Sequence, residues 1–470
     1  MNKYLGITTP ATANVIGLFN YRRVSGTHRL LRMLPTKIEK LLAGAFVDVT
    51  GVALNGTIST RPQYDIIDDI LVFTNEGADR PRKFDDTGNA ITLGGTPPFA
   101  KALKTYLGFL FLINISDNGT FTDVFDSART ARYSDDFDVE WSPCQANTIT
   151  LDETPGAWVA ADVLGRDMFG IKTDGVVKVT FIGGERRFSQ ELMRESVGCL
   201  APLSVVKVLE AGIVYLGIDG LLYLITGSSI TPLSSFQLAK TLPPRLNSNR
   251  LQFSRGVVNA KEDTYYLLYD STGLTGSQLD AYVSYNFRTK QFAKGKVGRN
   301  VTSVAMFKAS EGVQDDVLAG VTAPGNFVDT FDDSSATNDD GVGVNRFWTS
   351  GPISLHETGW FHGVRAVFER SASATVTVDI STNLNSEFHF PQSFDLRGNS
   401  PADEHVELEY YLPPQWCEWV NVRLRMIHTS PNGKTILERL GIEITPKLPT
   451  GEARSASSGV REIRGSVNPY

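Results

Sequence analysis

The sequence predicts an all-β protein: a β-propeller of six or seven blades with an N-terminal arm over residues 1–340, then a β-sandwich over 345–448 and a flexible C-terminal arm over 449–470. Three observations predict it. Short runs rich in Val, Ile, Phe, Tyr and Thr, broken by Gly, Asp and Asn, dominate the chain, and helical periodicity is scarce. A hairpin-like phrase recurs, with an apolar strand, a Gly/Asp turn and a second strand. Near residue 340 that phrase gives way to a different pattern.

The repeats run in order. "HRLLRMLPTKIEKLLAGAFVDV" lies near Leu30, "DILVFTNEGADRPRKFDDTGNAITL" near Val72 and "YLGFLFLINI" around Phe111. "DVLGRDMFGIKTDGVVKVTFIG" surrounds Phe169, "GIVYLGIDGLLYLITG" Tyr215, "DTYYLLYDSTG…AYVSYNFRTKQF" Leu267 and "DVLAGVTAPGNFVDTFDD" Leu318. Successive centres differ by 42, 39, 58, 46, 52 and 51 residues, close to the about 40–50 of a four-stranded propeller blade. Each phrase then reads as the middle pair of a blade. At Asp219-Gly220 the expectation is a two-residue type I′ turn, with positive φ at both positions. Radial repetition also hides strand edges that an open sheet would expose. Two or three separate β-sandwiches are the alternative. Only "RRFSQELMRES" (Arg186–Ser196) and "SSFQLAKTL" (Ser234–Leu242) read as short helices.

"SSATNDDGVGVN" (Ser334–Asn345) is a polar, Gly-rich boundary. Alternation at Ala374–Ile380 and Trp419–Met426 reads as a compact sandwich. The end is small, polar and basic. Its Arg454, Arg461, Arg464 and terminal Tyr470 are candidate docking residues for a neighbour's acidic loops. Trp360 and Phe361, in "HETGWFHG", read as sandwich core or as a subunit-interface anchor.

Composition narrows the function. Hydrophobic residues make up 41% and charged residues 21%, as in soluble globular proteins. A net charge of −7 argues against a gripping nucleic-acid binder, which carries a basic excess. Cys144, Cys199 and Cys417 are odd in number and match no metal spacing, which predicts reduced thiols. No signal peptide is read at the N-terminus, and the apolar runs are too short or carry a charge, so no membrane segment is expected. The sequons at Asn55, Asn114, Asn118 and Asn300 then read as chance.

Catalytic signatures are missing. There is no phosphate loop, no GxSxG and no HExxH, and the six histidines are scattered. "SDNGTF" (Ser116–Phe121) resembles a sialidase Asp-box with Asp117 one place early. The pairs Asp135-Asp136, Asp315-Asp316 and Asp332-Asp333 are adjacent, and adjacent strand residues face opposite ways, unlike a glycosidase pair. "DDSSATNDDG" lacks the spacing of a calcium loop. No enzyme, cofactor or metal is expected.

Several phrases resemble a phage family. They are "DILVFTNEGADRPRKFDD", "GTPPFAKALKTYLGFLFLIN", "RYSDDFDVEWSP", "VSYNFRTKQFAKG" and, most closely, "ESVGCLAPLSVVKVLEAGIVYLGIDGLLYLITGSSITPLS". Over about residues 25–300 the chain resembles the β-propeller nozzle, hub or stopper proteins of tailed, chiefly short-tailed, bacteriophages, also known as packaged-DNA stabilisation proteins. The resemblance implies a homohexameric ring below portal and adaptor. It implies tail fibre or needle proteins as further partners, and genomic double-stranded DNA passing through the channel without sequence-specific contacts. A negative or neutral lumen fits such a conduit, because it does not trap phosphates. The implied location is the virion, after assembly in a bacterial cytoplasm. The alternatives are a tail-associated receptor- or glycan-binding propeller and an enzyme acting on polysaccharide.

Overall fold

The computed structural model describes residues 2–3, 10–116, 124–134, 148–184, 187–208, 210–233, 239, 242–308, 315–322 and 327–331, then 338–339, 342–343, 346–349, 353–369, 374–382, 389–396, 405–428, 437–446 and 459–463. The chain divides into two compact units, Asn2–Asp333 and Ser334–Tyr470.

The first unit is a seven-bladed propeller. Five blades are separate four-stranded antiparallel sheets. They begin at the strands Gly17–Arg22, Gln63–Ile67, Phe99–Tyr106, Trp158–Leu164 and Val206–Val208. The sixth and seventh blades form one continuous sheet. Gln291–Phe307 is shared between them: Gln291–Lys296 closes blade 6, and Val301–Phe307 opens blade 7. Blade 6 begins at Arg255–Asn259. The fourth strand of blade 7 comes from the other end of the chain, where Asn2 and Lys3 pair with Thr330 and Asp329.

The predicted repeat centres all fall on second strands. Leu30, Val72, Phe111, Phe169, Tyr215, Leu267 and Leu318 lie in His28–Met33, Ile70–Thr74, Phe109–Ser116, Asp167–Lys172, Gly212–Leu216, Thr264–Tyr269 and Asp316–Val321. The physical reason is burial on both faces. A second strand has hydrogen-bonded neighbours on each side and a sheet of the next blade on each face. It therefore reads as an unbroken apolar run. Gly212–Leu216 is buried at every position.

The first strand of each blade packs against the first strand of the next, and that of blade 7 packs against Gly17–Arg22 of blade 1. The ring is thereby closed. Aromatic rings fill the space between blades 3 and 4, where Tyr106, Phe111, Tyr133 and Phe188 pack with centroids 5.0–6.2 Å apart.

Two local expectations are corrected. The helix expected within Arg186–Ser196 is absent over its described residues, 187–196. Phe188–Glu195 is the outer strand of blade 4, paired along Gly175–Phe181, so sheet pairing overrides local propensity. The Asp219-Gly220 turn is not type I′. The Gly220 amide donates to Gly217 O at 3.0 Å and the Gly217 amide to Leu221 O at 2.7 Å. Only Gly220 has positive φ, at 78°. This is a three-residue loop with a left-handed glycine after the turn. Asp219 holds it by accepting from the Leu221 amide and the Tyr223 hydroxyl, at 3.0 and 2.6 Å. Most of Ser234–Leu242 lies outside the described residues.

The second unit is a β-sandwich whose two layers share strands. The order runs from His389–Asp395 through Ala374–Thr382, His405–His428, Ile353–Glu369 and Leu437–Pro446 to Gly459–Ile463. The long strand His405–His428 pairs through its first half with Ile353–Glu369 and through its second with Ala374–Thr382. Alternate residues of both halves, among them Leu408, Tyr410, Val422 and Leu424, meet in one core. The predicted arm is corrected in part. Gly459–Ile463 adds an edge strand along Leu440–Ile444, because an open sheet edge offers unpaired amides and carbonyls to a β-prone "GVREI".

Removing residues 1–9 strips the outer strand of blade 7. The expected result is a cooperative thermal transition lowered by a few degrees, at about 2 °C per kcal/mol lost. An unchanged midpoint in a circular-dichroism melt would show that the strand adds nothing to closure.

Candidate functional site

The first strands surround an axial channel of about 380 Å³. Every blade contributes to its wall, from Gly17–Asn20 of blade 1 to Val304–Met306 of blade 7. Much of the lining is aliphatic or backbone. Five charged side chains interrupt it: Asp65, Lys104, Asp162, Lys207 and Arg255. Three cations less two carboxylates leave a net charge of +1 on this lining.

Lys104 is the centre of the charge cluster. Its Nζ lies 3.3 Å from Asp65 Oδ2 and 3.0 Å from Asp162 Oδ1. The three residues sit on the first strands of blades 2, 3 and 4, so one ammonium ties three consecutive blades together. Asp65 also accepts the Thr105 amide at 2.8 Å. Burial works against the ammonium, yet the two carboxylates outweigh it and its pKa is raised. Two carboxylates across a small gap invite a glycosidase reading. Lys104 stands in the space that a glycosidic oxygen and an attacking water would need.

Two further buried cations of the propeller are held by their neighbours. Arg32 donates to Glu39 at 2.6 Å and lies 3.9 Å from the Phe46 ring. Lys172 donates to Leu151 O at 2.6 Å and to Thr154 O. Cys199 is buried between blades 4 and 5 beside Ala201 and Ser204, and burial pushes its pKa up to about 12. Burial pushes Cys417 up to about 11. Neither suits a nucleophile, which needs its thiolate near neutral pH. Cys144 lies outside the described residues. Among those residues, no three His, Cys, Asp or Glu come together as a metal group, and no helix is long and apolar enough to cross a membrane.

The predicted interface residues separate. Trp360 and Phe361 are neighbours on one strand and face opposite ways: Trp360 is 43% exposed and Phe361 is fully buried in the sandwich core. Of the two readings given to Phe361, core and anchor, its burial fits the core, as the two-residue period of a strand requires. The glycines around them mark register shifts. A Cβ at Gly363 would meet Tyr410 O at 2.2 Å, so the shift needs a glycine there. Arg461 lies in the edge strand and pairs with Ile442. Arg454, Arg464 and Tyr470, with Asp117, Asp135, Asp136, Asp332 and Asp333, lie outside the described residues.

Sequence reasoning missed a set of exposed apolar turn residues. Val24, Leu107, Phe181 and Ile182 sit at hairpin turns and are 42–95% exposed. The Tyr106 hydroxyl links two of these turn regions, donating to Arg166 O at 2.6 Å and accepting from the Phe181 amide at 3.1 Å. Single apolar residues at turns were the only sequence signal.

No family model and no curated protein matches the chain. Among solved structures, it is similar to PorZ, a surface component of the type-IX secretion system of Porphyromonas gingivalis, at 9% identity and a TM-score of 0.37. That match covers 97% of this chain, which spans 53% of PorZ. Likeness to YCF48 from Cyanidioschyzon merolae covers 69% of this chain and 95% of that one, at 10% identity and a TM-score of 0.40. Likeness to an exo-β-1,3-galactanase from Phanerochaete chrysosporium covers 94% and 99%, at 11% identity and a TM-score of 0.28. The propeller assignment rests on the strand pairing above.

Replacing Lys104 by Met leaves two carboxylates facing each other. The expected loss is on the order of 2–4 kcal/mol by chemical denaturation. D65N/K104M/D162N is expected to recover part of it. Because the ammonium's pKa is raised in the fold, its contribution is fully present below about pH 10.4 and fades as pH rises past that value. A K104M chain as stable as the parent at pH 7 would show that the Asp65–Lys104–Asp162 cluster adds nothing to stability.

Proposed function

We propose that the chain is a structural, non-enzymatic virion protein of a bacteriophage tail, a nozzle or hub ring below portal and adaptor whose central passage retains and conducts genomic double-stranded DNA. The observation that carries the reading is where the family-like phrases fall. Asp69–Asp86, Gly95–Asn114, Glu195–Ser234 and Val283–Gly295 run through blades 2, 3, 5 and 6, so the resemblance follows the repeating framework and not one isolated motif.

In this reading each propeller is a building block and not the conduit. A channel of about 380 Å³ with Lys104 bridged across it has no room for a duplex, whose major groove alone is about 12 Å wide. The DNA passage is then the space enclosed by several copies. The apolar turn tips Leu107, Phe181 and Ile182 fit a surface that neighbouring subunits cover.

A glycan-binding tail protein is the second reading. Its supporting observation is the pair of exposed aromatics Trp360 and Tyr411 on paired strands of the sandwich.

Mass photometry and negative-stain imaging of the full chain, alone and with a portal–adaptor complex, separate the two. A hexameric ring, formed alone or only on the portal, is the expected result. A monomer or trimer that ignores the portal would overturn the nozzle reading and send the work to polysaccharide binding.

A further inference from the structure

Arg255 opens the first strand of blade 6 and lines the axial channel. It is 4% exposed. Its Nη2 donates to Ile16 O at 2.8 Å, while its Nε has no hydrogen-bond partner. Among the described residues no carboxylate pairs with it. Among the described residues the charged side chain that acts on it is Arg61, of the same sign and already paired with Glu76. Burial first, and Arg61 second, push its pKa down to about 9.

Four other cations of the propeller each have a carboxylate or two carbonyls. Lys104 has two aspartates, Arg32 has Glu39, and Lys172 has two carbonyls. Arg82 is likewise held by the carbonyls of Val52 and Ala53. A buried cation without a counter-charge is costly, and a guanidinium gives up its proton less readily than any other side chain. The remaining way to balance the charge is an anion from solution. Guanidinium N–H groups match the paired oxygens of carboxylates and phosphates. The channel supplies the space, and its lining already carries an excess of one positive charge.

We propose that the Arg255 end of the axial channel binds a small oxyanion, a carboxylate or a phosphate, held by the unpartnered Nε–H of the guanidinium. The site is independent of the nozzle reading, because it needs only one closed propeller.

The test uses the full chain. Thermal unfolding is followed in sodium acetate, sodium butyrate, sodium phosphate and sodium chloride at matched ionic strength. The expected result is a saturable rise of the midpoint in one or more oxyanion salts beyond that in chloride. Response to acetate and butyrate alone assigns a carboxylate, and response to phosphate alone assigns a phosphate. The rise is expected to vanish in R255Q. Rises no greater than in chloride, or a rise that R255Q retains, would overturn the proposal. Should R255Q fail to fold, crystals of the parent chain grown with selenate and with bromoacetate decide. An anomalous peak within hydrogen-bond distance of Arg255 Nε supports the site. Peaks only elsewhere, or none, overturn it.

Discussion

Closure of the ring is the constraint on which the propeller depends. Seven radial blades bury both faces only if every blade has two neighbours, and blade 7 reaches its second neighbour only by meeting blade 1. The joint is built from segments far apart in sequence. Asn2–Lys3 completes blade 7, and the stretch just before blade 1 is gripped from both sides. Thr302 Oγ1 donates to Val15 O at 2.7 Å, and Arg255 donates to the next carbonyl, Ile16 O. Without these contacts the faces of blades 1 and 7 and a strand edge would meet water.

Closure has a consequence at the axis. Seven first strands converge there, and their inward side chains share a narrow space. Lys104 resolves the crowding of charge by joining Asp65 and Asp162 across three blades. Arg255 lacks such a partner, although it too serves the joint by holding Ile16. The axis is therefore both a structural seam and the place where unbalanced charge collects. A scaffold of this kind leaves its turn faces free to differ from blade to blade. The exposed apolar tips of blades 1, 3 and 4 sit on such turns.

The sandwich solves a different problem. Its long strands belong to both layers, so they must bend without losing hydrogen bonds. The register shifts beside Gly359 and Gly363 provide the bend, and the approach of Tyr410 O leaves no space for a side chain at Gly363. Asp379, 1% exposed, receives Arg423 and Arg425 from the neighbouring strand, which neutralises its buried carboxylate.

Much of the fold was legible because the strongest local signal comes from the most buried strands. The apolar runs around Leu30, Val72, Phe111, Phe169, Tyr215, Leu267 and Leu318 needed no knowledge of their partners to be read as second strands. Outer strands were less legible. Phe188–Glu195 mixes polar and apolar residues because half of it faces water, and its sequence suits a helix as well. The site was not legible at all. Asp65, Lys104 and Asp162 are about a blade apart in sequence, and each looks like an ordinary surface charge until the ring brings them together. By itself the sequence determined the all-β class, the repeat and the place of each blade's central strand, since burial on two faces stamps a local apolar pattern. Tertiary structure alone decided how the ring closes, which of Trp360 and Phe361 turns inward, and which charges meet on the axis. Those outcomes depend on contacts between distant segments, and no local pattern encodes them.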